Sequence, residues 1–384
     1  MAITRRKLVA SALVLALAAC QAVPDRTRPG PAPVPTPTPS GPSEALPTDT
    51  ARHRIALLVP LSGSNAEAGR SIANAATMAL LDTSAENLRI TTYDTANGAG
   101  AAASNAIRDG NKLILGPLLR EDVTAVLGQA RAADVPLITF SNDTSVAAAD
   151  VFVMGHVPEQ SIARTVAYAR AQGAARFAAL VPSGDYGRRA ADSLTQVVRQ
   201  AGGTMGAVEQ YDRGNTSIIS AADRLKARGG YDAVLIAEGT RLSVMAAGAL
   251  TAGVTVRPRL LGTELWSGEG DLAGSAALRG AWFSAVSDAR FRQFASSYQT
   301  RFGEQPYRIA TLGYDAVLLT LRVARDWQPG RNFPATRVVG GEGFLGLDGP
   351  FRFGSNGVGE RAMEVRQIGN GTVSVVDAAP ARFN

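Results

Sequence analysis

From residue 53 to residue 262 short apolar runs alternate with segments whose apolar residues recur every three or four positions, and few folds accept that alternation. Residues 54–60 (RIALLVP) read as a strand and 66–81 as an amphipathic helix. The cycle repeats at 88–93 and 99–108, at 112–115 and 121–132, and at 136–140 before a loop and 151–154. A second series runs through 161–172, 177–182, 188–201, 205–211, 218–228, 233–237, 242–251 and 259–262. Strands that alternate with helices build parallel sheets covered by helices on both faces. Two such series, each the size of one domain, predict an α/β chain of two doubly wound lobes. Towards the end the grammar changes. Two helices at 291–302 and 307–327 precede strand-like runs at 350–353, 363–368 and 372–376, with Gly369-Asn370-Gly371 as a hairpin turn.

The first twenty residues belong to a different economy. Arg5, Arg6 and Lys7 precede an apolar stretch at 8–17 and small residues before Cys20, the order of a secretory signal. The stretch is too short to span a bilayer, which takes about 20 apolar residues. Leu17-Ala18-Ala19-Cys20 resembles the lipobox of bacterial lipoproteins, so residues 1–19 are read as a removed signal and Cys20 as the acylated N-terminus. Thr4-Arg5-Arg6-Lys7-Leu8 also looks like a twin-arginine signal, which leaves Sec and twin-arginine export both open.

Cys20 is the single cysteine of the chain. Once it carries lipid no disulfide is left, so a fold in an oxidising compartment must rest on its core. From 21 to 51 proline recurs at 24, 29, 31, 33, 35, 37, 39, 42 and 47. Such a segment has nothing to bury and favours extended polyproline II, so residues 20–51 read as a lipidated tether. At about 3.1 Å per residue it reaches roughly 90 Å when fully extended. The formal charge of +6 falls to +3 once the three basic residues of the signal are removed. No Lys/Arg block with interleaved aromatics occurs, which argues against nucleic-acid binding.

The residue types of catalysis are scarce. The two histidines, His53 at the edge of the tether and His156 further on, stand in no metal-ligand spacing. An acylated Cys20 is no nucleophile, and no G-x-S-x-G elbow is present. Residues 341–346 (GEGFLG) match G-x-G-x-x-G without the strand before and the helix after that a dinucleotide requires. The expectation is a binding protein, not an enzyme, with no metal and no cofactor.

Seven segments occur in the order of a known family: Ile55-Ala-Leu-Leu-Val-Pro-Leu-Ser-Gly63, Gly116-Pro117-Leu118, Val135-Pro-Leu-Ile-Thr-Phe-Ser141, Asp185-Tyr186-Gly187, residues 298–303, Gly313-Tyr314-Asp315-Ala316 and Gly349-Pro-Phe-Arg-Phe353 ahead of Asn356-Gly357. The chain resembles the leucine/isoleucine/valine-binding branch of the type 1 periplasmic-binding proteins. The resemblance implies two Rossmann-like lobes joined by three crossovers, with lobe 1 at 52–155 and 286–335 and lobe 2 at 156–285 and 336–380. It places His156 at a crossover.

Open parallel sheets bind ligands beyond the carboxyl ends of their strands. The loops at those ends supply the candidate cleft residues: Ser62, Ser64 and Asn65; Gly116 and Pro117; Ser141, Asn142 and Asp143; Tyr186; Glu238 and Glu264. Each also has a plain structural use, as a helix cap, a turn residue or a packing group. The chain departs from amino-acid-binding members at Leu119-Arg120 and at Phe140-Ser-Asn-Asp143, so their recognition of an α-amino acid is not carried over and the ligand is read only as small and polar. Gln21 after Cys20 resembles the pattern that sends lipoproteins to the outer membrane. A tethered outer-membrane lipoprotein of this fold resembles the activators of penicillin-binding proteins, so the leading expectation is a periplasmic regulator of peptidoglycan synthesis that partners a peptidoglycan synthase. The alternative is the solute-binding lipoprotein of a branched-chain amino-acid or amide ABC transporter.

Overall fold

A computed structural model describes residues 51–339, 343–381 and 383. The signal, Cys20 and the tether up to residue 50 lie outside the described residues, as do Gly341 and Glu342 of the Gly-rich loop. Thr48–Asn384 forms one compact unit.

Its first sheet is built from β1 (His53–Val59), β2 (Leu88–Asp94), β3 (Leu113–Leu115), β4 (Leu137–Thr139) and β5 (Val151–Val153), in the order β2-β1-β3-β4-β5 and parallel throughout. The connections are α1 (Ala66–Asp82), α2 (Ala99–Arg108) and α3 (Arg120–Ala130). The run of apolar residues in β1 is explained by burial on both faces. Ile55, Leu57 and Val59 pack with Ile72 of α1, and Ala56 and Leu58 pack with Ala103 of α2 and Val123 of α3. Each fully buried Leu, Ile or Val side chain stabilises by about 1.5–3 kcal/mol, so the strand has no polar face to spare.

The second lobe repeats the plan. After α4 (Pro158–Ala171) come β6 (Arg176–Pro182), α5 (Asp185–Gln200), β7 (Thr204–Tyr211), α6 (Ser217–Arg228), β8 (Ala233–Ile236), α7 (Thr240–Thr251), β9 (Arg259–Leu261) and β10 (Trp282–Ala285). The order β7-β6-β8-β9-β10 matches that of the first lobe strand for strand. The helix after the first strand presses on its own strand in both lobes. A Cβ at Gly69 would lie 1.8 Å from Pro60 O, and one at Gly187 would lie 1.7 Å from Pro182 O.

The chain then returns to the first lobe with α8 (Ala289–Phe302) and α9 (Thr311–Ala324), whose Leu312, Ala316 and Leu319 complete the core beside β1. The tail departs from the expected boundaries. β11 (Phe344–Gly346), β12 (Gly349–Phe353) and β13 (Gly359–Arg361) form a separate antiparallel sheet, and Phe351 and Phe353 lie in the first lobe's core with Phe152 and Met154. Only β14 (Glu364–Ile368) and β15 (Val373–Asp377) join the second sheet, β14 antiparallel to β10. The aromatic side chains of residues 344–361 therefore pack into lobe 1, Gln160 of α4 bonding the backbone of β13 from the other lobe at Gly359 O (2.6 Å) and Arg361 N (3.0 Å), and the third crossover falls at 361–364 rather than near 336. The aromatic residues of β12 decide this, since they fill the core beside β5. The Gly369–Gly371 turn joins β14 to β15, with Gly369 N donating to Thr372 O at 2.7 Å. Among the described residues no helix is long and apolar enough to cross a membrane.

Candidate functional site

The carboxyl ends of both sheets face a shared cleft, which holds a cavity of about 440 Å³. The first lobe supplies mostly apolar wall: Ala68 of α1, Leu118 and Leu119 ahead of α3, Phe140 after β4, and Ile309 and Leu312 at the start of α9. Asn65, Asn142 and Tyr307 add amide and hydroxyl groups. The second lobe contributes the segment after β9, with Glu264, Leu265, Ser267 and Glu269.

Glu264 is the group with unspent capacity. It is 9% exposed, its Oε1 accepts from Tyr186 OH at 3.2 Å, and its Oε2 has no hydrogen-bond partner. Burial pushes its carboxyl up to about 7. Thr263 Oγ1 holds Tyr186 OH from the other side at 3.0 Å and so fixes the acid's neighbour. Ser267 Oγ, also buried and without a partner, lines the same cavity. A buried polar atom left unpaired costs about 1–3 kcal/mol, so this end of the cavity favours a ligand that donates hydrogen bonds.

The other sequence-selected residues separate by where their side chains are engaged. Asn65 and Asn142 line the cavity with Glu264. Ser62, Ser141, Tyr186 and Glu238 have their polar side-chain atoms bonded to other groups of the protein. Ser62 Oγ donates to Asp94 Oδ2 at 3.0 Å, and Ser141 Oγ accepts from Asp143 N at 3.2 Å. Glu238 takes Tyr211 OH at 2.8 Å and Arg213 Nε at 2.7 Å on one oxygen and Gly239 N at 2.9 Å on the other. Ser64 is exposed and is not part of the cavity lining. Gly116 and Pro117 shape the loop: Gly116 has φ +100°, and a Cβ there would stand 2.1 Å from Leu58 O. Pro117 O accepts from Phe140 N at 3.0 Å and Thr139 Oγ1 at 2.7 Å, which sets Phe140 against the cavity.

Asp143 belongs to an interlobe clasp. Arg120, at the start of α3, pairs with Asp143 and with Asp185 of the second lobe, both at 3.0 Å. Arg189 of α5 pairs with Glu159 at 2.8 Å and donates to Asn142 O across the cleft. The cavity is thus described with the lobes bridged. Arg120 is half exposed, and such pairs contribute about 0–1 kcal/mol, so they bias closure without locking it.

Beneath the cleft one buried ionic network ties the three crossovers together. Asp348, fully buried between β11 and β12, accepts His156 Nε2 at 2.7 Å, Arg308 Nη1 at 2.7 Å and Thr311 Oγ1 at 3.0 Å, and pairs with Arg361 Nη1 at 3.5 Å. Burial works against its charge, yet Arg308, His156 and Arg361 hold its carboxyl well below the usual carboxylate range. Asp315 has the opposite fate: burial and the charge of Asp348 raise it, while its oxygens accept Leu347 N at 2.6 Å and Asp348 N at 3.4 Å. Arg308 also reaches Asp288 of the second crossover at 3.3 Å, and Arg361 Nη2 donates to Met154 O of the first at 2.7 Å. Burial lowers His156. Sequence reasoning placed His156 at a crossover but found neither Asp348 nor Arg308, whose partners lie far away in the chain. Among the described residues no three His, Cys, Asp or Glu side chains are grouped to hold a metal ion.

Two matched parallel sheets with their carboxyl ends turned to one cleft, over a hinge of three crossovers, define a two-lobed ligand-binding protein. The periplasmic binding protein family model matches residues 53–372, and the chain belongs to that family. An uncharacterized protein of Rickettsia prowazekii (strain Madrid E) is 28% identical over 160 residues, 41% of this chain and 43% of that protein, so the match spans less than half the length of the curated relative. A putative branched-chain amino acid ABC transporter protein of Rhodospirillum rubrum superposes with a TM-score of 0.73 at 19% identity, covering 85% of this chain and 100% of that one. The branched-chain amino acid transporter substrate-binding protein of Streptococcus pneumoniae, in complex with isoleucine, superposes at 0.66 with 18% identity, covering 86% and 100%.

Proposed function

We infer that this chain is a lipid-anchored solute-binding protein of the periplasm, closing its lobes on a small ligand with an apolar body and an amino group for delivery to a membrane permease. The observation that carries this reading is the buried, half-unpartnered carboxyl of Glu264 facing the mostly apolar wall of the first lobe. The isoleucine held by the Streptococcus pneumoniae relative supports a ligand of that size. The cavity's charges also bear on the ligand's other end. Glu264 and Glu269 are acidic, Arg308 in the lining is already paired with Asp348 and Asp288, and His156 is bonded to Asp348. Among the described residues a ligand carboxylate therefore meets no spare cation in the lining, and an amide suits the site better than a free acid.

Isothermal titration at pH 7 checks this. Leucinamide is expected to bind at least tenfold tighter than leucine, with leucine no tighter than about millimolar, or −4 kcal/mol. Equal or tighter binding of leucine, or no binding of either, would overturn the amine-and-amide reading. The anchor has its own test: palmitate label is expected in the wild-type chain and absent from Cys20→Ser, and label in neither removes the lipoprotein reading.

Regulation of peptidoglycan synthesis takes second place. It draws on the proline tether and on Gln21, whose pattern points to the outer membrane, whereas the cavity chemistry favours solute binding. Capture of a permease complex by the full-length protein supports transport, and capture of a peptidoglycan synthase in its stead restores the regulator.

A further inference from the structure

The second lobe carries another concavity, of about 430 Å³, at the amino ends of its strands. Asp232 and Arg259 open β8 and β9, and Arg279 and Trp282 flank the start of β10, while Glu264 follows the opposite end of β9. Ligands of open parallel sheets sit at the carboxyl ends, so the cleft's function does not account for this hollow. Its volume lies in the range of small-molecule sites, about 300–1,000 Å³.

Three guanidinium groups line it: Arg257, Arg259 and Arg279. Arg259 lies over the indole of Trp282, 4.0 Å from the ring centroid, and donates to Gly280 O. Arg279 donates to the neutral Asn370 Oδ1 at 2.8 Å. Among the described residues none of the three is paired with a carboxylate. The acid in the lining, Asp232, is engaged elsewhere: it pairs with Arg176 at 3.0 Å and accepts the N–H groups of Ala175 and Arg176 at 2.9 Å. Burial disfavours the charged form of Arg259, and an ion taken partly out of water without a counter-ion is under an electrostatic penalty that a bound anion relieves. Leu260, Ala281 and Trp282 add an apolar floor.

We propose that this concavity is a second ligand site, which binds a small phosphate ester through Arg257, Arg259 and Arg279 and seats its organic part against Leu260 and Trp282. The planar guanidinium fork matches phosphate oxygens in pairs, and three cations suit a dianion better than a single carboxylate. The site is independent of what the cleft binds.

The test uses the full-length protein at low ionic strength, titrated with glycerol 3-phosphate, inorganic phosphate and glycerol. Glycerol 3-phosphate is expected to bind with a submillimolar dissociation constant, tighter than inorganic phosphate, with no signal for glycerol. Arg257→Gln and Arg279→Gln each weaken it five- to tenfold, and both reduce its salt dependence. Arg301→Gln, an exposed arginine of the first lobe, leaves it unchanged. A dissociation constant above about 10 mM, or the same loss in Arg301→Gln, overturns the site. So does retention on phosphatidylglycerol vesicles without binding of the soluble ester, because that places the chemistry on a surface and not in the concavity.

Discussion

Replacing Asp348 with Asn is expected to lower the unfolding free energy by more than about 3 kcal/mol, the range found when one member of a buried ion pair is removed. The carboxylate is the common partner of His156, Arg308 and Arg361, all buried or nearly so. An amide in its place keeps one acceptor oxygen, turns an NH₂ group towards donors, takes the paired carboxylate from Arg361 and leaves Arg308 with Asp288. The folded-state carboxyl is depressed below its ordinary value of 3.8. Its contribution is therefore present above that value and is lost as pH falls through the folded-state value, so the wild type and Asp348→Asn converge only in strong acid. Asp315 provides the contrast. Its raised carboxyl keeps a proton further towards neutrality, so an amide imitates its resting form, and Asp315→Asn is expected to lose about 1 kcal/mol, as for an ordinary hydrogen bond. Denaturant unfolding at pH 7 measures both. A loss below about 1 kcal/mol for Asp348→Asn would show that Asp315 ionises and takes over the pairing.

How much of this could be read from residues alone follows the range of each interaction. β1 and β6 are legible because both of their faces are buried and, after His53 and Arg54 in the one and Arg176 in the other, every position is apolar. β10 is hidden in the sequence because Trp282-Phe-Ser-Ala285 is four residues long and lacks the β-branched side chains that mark a strand. β13 is Gly-Glu-Arg, with no apolar signal, and is a strand only through its pairing with β12. The tail follows a related rule: what places residues 344–361 is the packing of Phe351 and Phe353 beside Phe152, which no local pattern reveals. The candidate site shows the same limit. Asn65, Asn142 and Glu264 could be named because strand-end loops are local features. Glu238 looked equivalent to Glu264, since both follow an apolar run, and they differ through Arg213 and Tyr211, which spend the one acid and leave the other. Tyr307 and Arg308 stand just before α9 and follow no strand, so the strand-end rule had no way to reach them.

Glu264→Gln is expected to separate stability from binding, moving each in the opposite direction. The folded-state carboxyl lies at about 7 against an ordinary value of 4.5. A raised acid contributes its stability in full below its unfolded value and loses it as pH rises through the folded one. By pH 8 the wild type therefore bears a penalty on the order of 3 kcal/mol, at 1.36 kcal/mol per pKa unit. Gln has the same shape and does not ionise. Its unfolding free energy should match the wild type's near pH 4.5 and exceed it by about 3 kcal/mol at pH 8. Binding follows the opposite course. The amino group of a ligand is attracted by the ionised acid, and truncating one side of a buried charged pair costs about 2–5 kcal/mol, so the variant should bind at least about 30-fold more weakly. The natural probe is 3-methylbutylamine, whose ammonium persists across this pH range. Wild-type affinity for it should rise about tenfold per pH unit up to pH 7 and then level off, whereas the variant's stays flat. An amide variant that is no more stable than wild type at pH 8 would place the proton elsewhere in the cleft. Undiminished binding of the amine would remove Glu264 from the site, because a carboxyl that holds the ligand's charge cannot be neutralised without loss of affinity.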